Sequence, residues 1–447
     1  MCGLLEKVGP VPAAWIQTKD PETPSVKCKP CTSWRDLVMA WKRAMKLTEG
    51  LEAGLSFALA IVVSTEAAGD QLWGRLIGPP SCGKSVLCEA LSVAKKFILA
   101  KSTIRGFHSG YKSDKTGEED HSLIVLAKNK TLVVKDGDTI LKLPNLGQVL
   151  AEARDVYDGT SRAHYRHGVK RDYEDHRMTF LLCGTESLRS LDSSELGERF
   201  LDCLVAEDMD EDTERLIQHR VALRRMREMG ISAASGRAQD TPEMLLAKQL
   251  TGGYVEYLRE NAQRLLSAVR ASEAVLVRIE RLAEFVSFVR ARPSKTQEEK
   301  AQRELSFRLT SQLMGMAVAL TVVLNRREVD EDVLRRVTKI ARDTARGRTF
   351  VLVSNLYRIG PVGAETRQLA IWTAETEDSE RKLLRFLAKI GVTELYAPET
   401  IHGLKGRPRW RLTDRLRRLY GEVTGEADPA SSEAALEYEE DETEDEG

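Results

Sequence analysis

The stretch GPPSCGKS, Gly78 to Ser85, decides how this chain is read. It fits G-x-x-x-x-G-K-[ST] without a mismatch. The apolar run Leu72 to Ile77 reads as a strand before it, and Val86 to Leu99 reads as a helix after it. Strand, glycine-bearing loop and helix in that order make a phosphate site. Glycines let the backbone curl so that successive N–H groups point at phosphate oxygens, and the helix adds the positive end of its dipole. The cradle comprises Gly78, Pro79, Pro80, Ser81, Cys82, Gly83, Lys84 and Ser85, with Val86 opening the helix. Lys84 is expected to reach the β- and γ-phosphates and the Ser85 hydroxyl to ligate Mg²⁺, so ATP and Mg²⁺ are the expected cofactors.

With 447 residues the chain exceeds one ordinary core, and its length suits two to four domains. The longest apolar runs, Leu55 to Val63 and Met314 to Leu324, fall short of the roughly 20 residues that span a bilayer, so no membrane partner is expected. The opening MCGLLEKVGPVP lacks a charged segment followed by an apolar one, which points to a cytoplasmic protein with reduced thiols. Seven cysteines do not make a disulfide framework, and Cys28-x-x-Cys31 has no second pair at zinc-ligand spacing. The net charge of −1 hides an asymmetry. From Glu426 to Gly447 there are eleven acids and no base, so the remaining body carries about +10. Such a body suits nucleic acid as a partner, with the tail either a competitor or a solvated end without a role.

Taken in order, residues 1–32 read as an extended leader, and 33–210 as an α/β core entered through two helices, one from Ser33 with Trp34, Leu37, Val38 and Trp41, the other from Leu51 to Ala67. After a polar segment and a short helix at Leu123 to Ala127 comes TLVVKDGDTIL, Thr131 to Leu141, an apolar run ending in Asp136 and Asp138. A helix at Leu146 to Tyr157 is followed by a basic hairpin bearing Arg162, Tyr165, Arg166, Lys170 and Arg171, then by a third strand, Met178 to Cys183, ending in GTES with Thr185. Arg199 follows in LGERF. Residues 211–346 are helical by their apolar spacing. Residues 347–424 read as a winged helix, three helices and then a hairpin whose tip runs from Gly403 to Pro408, with Lys405, Arg407 and Arg409 positively charged. That unit suits DNA contact or protein docking. Residues 425–447 read as a disordered acidic tail.

The series GPPSCGKS, VVKDGD, LLCGTES and LGERF resembles the core of a AAA+ ATPase, with Walker A, Walker B, sensor 1 and arginine finger in order. The inserted hairpin resembles the pre-sensor-1 hairpin of the clade that includes minichromosome-maintenance helicases and MoxR-like ATPases. The Walker B type and the YDG at Tyr157 to Gly159 are similar to ATPases of phages and mobile elements. The resemblance implies a parallel sheet flanked by helices, a helical lid over 211–346, and a hexameric ring with ATP at subunit interfaces. It implies that Asp136 joins Ser85 in holding Mg²⁺, that Thr185 senses the γ-phosphate, and that Arg199 acts on a neighbour's nucleotide. Arg308, in SFRLTSQL, takes the place of a sensor 2 arginine in the lid. One position departs from the pattern: Gly137 stands where hydrolysing members carry Glu, so either Asp138 supplies the base or hydrolysis is slow. The function implied is an ATP-driven DNA helicase or translocase. A remodeller of a protein partner and a nucleotide-gated DNA-binding regulator are the alternatives.

Overall fold

In the computed structural model, residues 26–109, 120–165, 170–193, 199–205, 211–229, 240–291, 305–397 and 407–428 are described. Helices α1 (Trp34–Ala44) and α2 (Glu49–Val63) begin at Ser33 and Thr48, whose hydroxyls accept from the Asp36 and Leu51 N–H groups. Then follow β1 (Trp73–Ile77), α3 (Lys84–Leu91), β2 (Ile98–Lys101), α4 (Leu123–Ala127), β3 (Thr131–Val134) and α5 (Leu146–Tyr157). A hairpin of β4 (Ser161–His164) and β5 (Lys170–Tyr173) precedes β6 (Thr179–Gly184) and β7 (Phe200–Leu204). The helical stretch holds α6 (Glu211–Met229), α7 (Pro242–Glu260), α8 (Ala262–Ser267), α9 (Glu273–Val289), α10 (Phe307–Val323) and α11 (Glu331–Ala345). The last unit is α12 (Arg348–Ile359), α13 (Thr366–Trp372), α14 (Glu377–Lys389), β8 (Thr393–Tyr396), β9 (Arg409–Leu412) and α15 (Asp414–Thr424).

Five strands form one parallel sheet in the order β2-β3-β6-β1-β7. Alternation along the strands sorts side chains onto two faces. Trp73, Leu132, Val134, Phe180, Leu182 and Phe200 meet α4 and α5 on one face. Leu76, Val133, Leu181, Cys183, Leu201 and Cys203 meet the other helices. Both faces are covered, as a parallel sheet requires. The chain is therefore α/β, as its sequence indicates.

Two expectations change in detail. The helix after the phosphate loop ends at Leu91 rather than Leu99, because Ser92 to Phe97 turn back onto α3 and Ile98 to Lys101 pair with β3. An apolar run of that length does not by itself distinguish buried helix from buried strand. From α7 to α11 the segment expected as a lid is a layer of the same core: α10 packs on α2, α7 on α1 and α3, and their apolar residues join one cluster with the sheet. Helix α11 lies along β7, whose Asp202 and Leu204 N–H groups donate to Thr344 Oγ1 (2.9 Å) and Asp343 Oδ2 (2.8 Å). Side chains thus take the place of a further strand at that edge.

The described part of the C-terminal unit has four helices, three before and one after the antiparallel pair β8–β9, which a bridge between Ala364 and Trp410 ties back to the turn before α13. Residues 403–406 of its hairpin tip, Lys405 among them, lie outside the described residues, as do 1–25 of the leader and 429–447 of the tail. What is described of the leader, residues 26–32, is extended and crosses α7, where the Lys29 N–H donates to Gln249 O (3.0 Å). A Cβ on Gly253 would stand 1.8 Å from Lys29 O, so only glycine admits this crossing. Gly253→Ala is expected to cost about 3 kcal/mol, the upper part of the overpacking range because the obstacle is backbone. Urea unfolding would measure it, and an unchanged midpoint would contradict the crossing.

Candidate functional site

Strand order brings the carboxyl ends of β1, β6 and β3 side by side, and the polar residues of the sequence motifs follow those ends. This is where ligands bind open parallel sheets. After β1 the loop turns through Ser81 (φ 66°) and Gly83 (φ 100°), the residue that caps α3. Lys84 opens that helix and is buried; its ammonium donates to the carbonyls of Gly78 and Pro79 (both 2.7 Å) and lies 3.3 Å from Cys82 Sγ. Ser85 is exposed.

After β3, Asp136 is exposed, with no side-chain partner among the described residues. Asp138 is committed elsewhere. It accepts from Thr185 N (3.0 Å), Thr185 Oγ1 (3.1 Å) and Ser187 Oγ (3.3 Å) after β6. Asp138 and Thr185, separated by 47 residues, are therefore one hydrogen-bonded unit. Gly137 between the two acids is buried, and a Cβ there would come within 3.2 Å of Cys183 O and Leu188. A glutamate at this position would be driven into β6 rather than toward the phosphates. Cys183 lies beside this cluster: the Cys88 hydrogen bond lowers its thiol value against burial, Lys84 adds to the lowering, and Cys88 itself is raised.

For magnesium, the donor set fits: one free hydroxyl, Ser85, and one free carboxylate, Asp136, flank the cradle. No group of three or more His, Cys, Asp or Glu that could hold a metal occurs among the described residues. A Mg²⁺ that takes its other ligands from phosphate and water needs none.

The two arginines are elsewhere. Arg199 precedes Phe200, which pairs with Trp73 at the amino end of β1, about 13 Å of strand away from the loop that follows Ile77. Its guanidinium lies over the Tyr157 ring (5.2 Å) and 3.3 Å from the Asp158 carboxylate, and it is buried. The ring and carboxylate of its own chain hold it there, at the edge of the sheet away from its own phosphate loop. Arg308, in the first turn of α10, faces the same Tyr157, and Gln312 one turn on donates to Tyr157 Oη and Arg199 O (both 2.9 Å). Arg308 thus stands at the amino edge, away from Lys84 of its own chain.

The hairpin is present, and its root is a polar network. Ser161 Oγ lies 2.9 Å from His108 Nε2, and His108 Nδ1 lies 3.4 Å from Glu152 of α5. Tyr173, stacked on His108, donates to Asp120, which also meets Arg171 (3.4 Å). Ser161 and His108 are buried, so this Ser–His–Glu order anchors the hairpin and offers no open nucleophile. Nothing in the sequence announced it, since the three residues lie far apart in the chain. Arg162 pairs with Asp172 (3.0 Å) and Glu174 (3.1 Å). Lys170 is exposed without an ion pair among the described residues; Tyr165 is half-buried, and Arg166 lies outside them. In the C-terminal unit Arg407 pairs with Glu365 (3.4 Å), Arg411 pairs with Glu394 (2.7 Å), and Arg409 is half-buried. Carboxylates thus neutralise part of both basic surfaces.

Compared with known proteins, the chain matches no family model and no curated sequence.

Burial would raise the Glu152 carboxyl, but hydrogen bonds from His108, the Phe107 N–H and Gln148 outweigh it and hold it below its ordinary 4.5. A lowered folded value makes this contribution full above pH 4.5 and lost as pH falls through the lowered value. Thermal midpoints of the wild type should therefore drop more on acidification than those of Glu152→Gln. Equal drops would show that Glu152 does not anchor the hairpin root.

Proposed function

We propose that the chain is an ATP-driven motor of the AAA+ type, of the pre-sensor-1 hairpin clade, acting on DNA as a helicase or translocase within a ring of identical subunits. The observation that carries this reading is the convergence of Lys84, Ser85, Asp136 and the Asp138–Thr185 unit at the carboxyl edge of β1, β3 and β6, with a hairpin inserted immediately before β6. In the mechanism proposed, loop N–H groups and Lys84 hold the phosphates, while Ser85 and Asp136 would hold Mg²⁺, which supplies charge neutralisation on the phosphate oxygens. Lys84 would exchange its two loop carbonyls for phosphate oxygen. Thr185, fixed by Asp138, would meet the γ-phosphate. Arg199 and Arg308 stand at the opposite edge, so any action on phosphate falls on a neighbour's nucleotide and requires Arg199 to leave Asp158.

The hairpin would carry DNA through Arg166, Lys170 and Arg171, with Tyr165 available for stacking. The C-terminal unit is read as a winged helix that contacts DNA through Lys405, Arg407 and Arg409. One observation favours a second reading, a nucleotide-gated DNA-binding regulator with slow hydrolysis. A carboxylate has about four acceptor positions, and three donors, Thr185 N–H, Thr185 Oγ1 and Ser187 Oγ, already point at Asp138. Little room is left on it to orient a water.

Lys84→Ala should abolish ATP turnover, measured by phosphate release; undiminished turnover would remove the nucleotide reading. Because Lys84 also braces its loop, retained folding should be checked by circular dichroism. Joint replacement of Arg166 and Lys170 by Ala should leave basal turnover intact and remove its stimulation by DNA. Slow turnover that DNA never stimulates, together with ATP-dependent DNA binding, would instead establish the regulator. For the ring, Arg199→Ala mixed with Lys84→Ala should recover activity at interfaces joining an intact loop to an intact arginine. An arginine finger contributes on the order of 10³-fold or more in rate, so the recovery would stand clear of two inactive parents.

A further inference from the structure

A cavity of about 630 Å³ opens between α11, α12 and the end of α15, well apart from the phosphate loop in the chain. Its wall carries five basic residues, Arg278, Arg335, Lys339, Arg342 and Arg346, and four acids, Glu331, Asp332, Asp343 and Glu422. Pairing decides what the cavity presents. Glu331 is held by Arg278 (2.7 Å), Asp332 by Arg335, Asp343 by Lys339 (2.8 Å), and Glu422 by Arg281 (3.8 Å). Every acid in the wall is therefore occupied. Arg342, in the last turn of α11, and Arg346, the residue that caps it, are exposed and have no carboxylate partner among the described residues.

A helix C-terminus favours cations, but that accounts for neither arginine's facing a cavity. Both guanidiniums line this one cavity, and like charges gathered at one place repel each other unless an anion lies between them. Guanidinium forks match phosphate oxygens in pairs. Phe350 and Val423 add an apolar side to the same cavity, whose size is in the range of small-ligand sites.

We propose that this cavity is a second anion site, which takes a small ligand bearing a diphosphate, with the phosphates on Arg342 and Arg346. Its position gives it a route to the sheet. The Arg346 and Asp343 carbonyls accept from Arg189 (2.8 and 2.6 Å), which lies in the turn after Thr185, and Gly347 (φ 138°) then begins the connection to α12.

The test uses the full chain carrying Lys84→Ala, which disables the phosphate loop, so that the outcome does not depend on the nucleotide reading above. Titration calorimetry with inorganic pyrophosphate at low salt should show saturable binding. Adding Arg342→Gln and Arg346→Gln should weaken it at least tenfold while the chain keeps a cooperative thermal transition in the absence of pyrophosphate, because neither side chain has an ion-pair partner among the described residues to lose. Adding Lys170→Gln instead should leave it unchanged. Absence of saturable binding, or binding indifferent to the Arg342/Arg346 pair, overturns the proposal. So does a loss of single-stranded oligonucleotide binding without loss of pyrophosphate binding, which would make the two arginines part of a nucleic-acid surface.

Discussion

Parallel strands cannot be joined by tight turns; each must cross over a face before pairing with the next. That constraint organises the molecule. It requires helices on both faces, and it gathers every carboxyl end on one edge. Here β1 sits between β6 and β7, with β3 beyond β6, so residues from three distant parts of the chain end beside one loop. Helix α2, buried along nearly its whole length, fills one face and carries α10 on its far side. Helices α7 to α11 consequently belong to the core of the sheet.

The two edges are also wired together through charge. Arg75 in β1 and Asp202 in β7 are register partners and form a buried ion pair (2.6 Å), while Arg75 also donates to Leu188 O (3.0 Å). Arg189, next in chain, reaches Asp202 (3.5 Å) and the end of α11. Breaking one member of a buried pair is far costlier than either pair's net contribution, about 3–5 kcal/mol. The turn after Thr185 is thereby fixed to the sheet, to Asp138 and to α11 at once.

Much of this was legible in the sequence because it is local. The loop from Gly78 to Ser85, the helix Leu146 to Tyr157 and the hairpin before β6 each follow from glycine spacing, apolar periodicity or alternation. What was not legible depends on pairs far apart in the chain. The helix after the loop was read too long because Ile98 to Lys101 gain their extended form from β3, not from their own composition. Arg199 reads as an available charge until Tyr157 and Asp158 are seen around it. Asp138 reads as a free base until Thr185 and Ser187 are seen to occupy it. Charge counts misled for the same reason: Arg162 and Arg407 are basic in composition, yet each stands against a carboxylate.

The closure of β7 by α11 carries a consequence for how the protein fails. Asp343 and Thr344 satisfy backbone donors that another strand would otherwise claim, and Lys339 holds Asp343 in place. The guard is a helix that also sets its own apolar face, Val333, Val337 and Ile340, into the core. Damage that loosens α11 would leave backbone donors of the border strand FLDCL unmet, a template for pairing with another chain. Edge-to-edge clumping would then accompany the loss of this one helix.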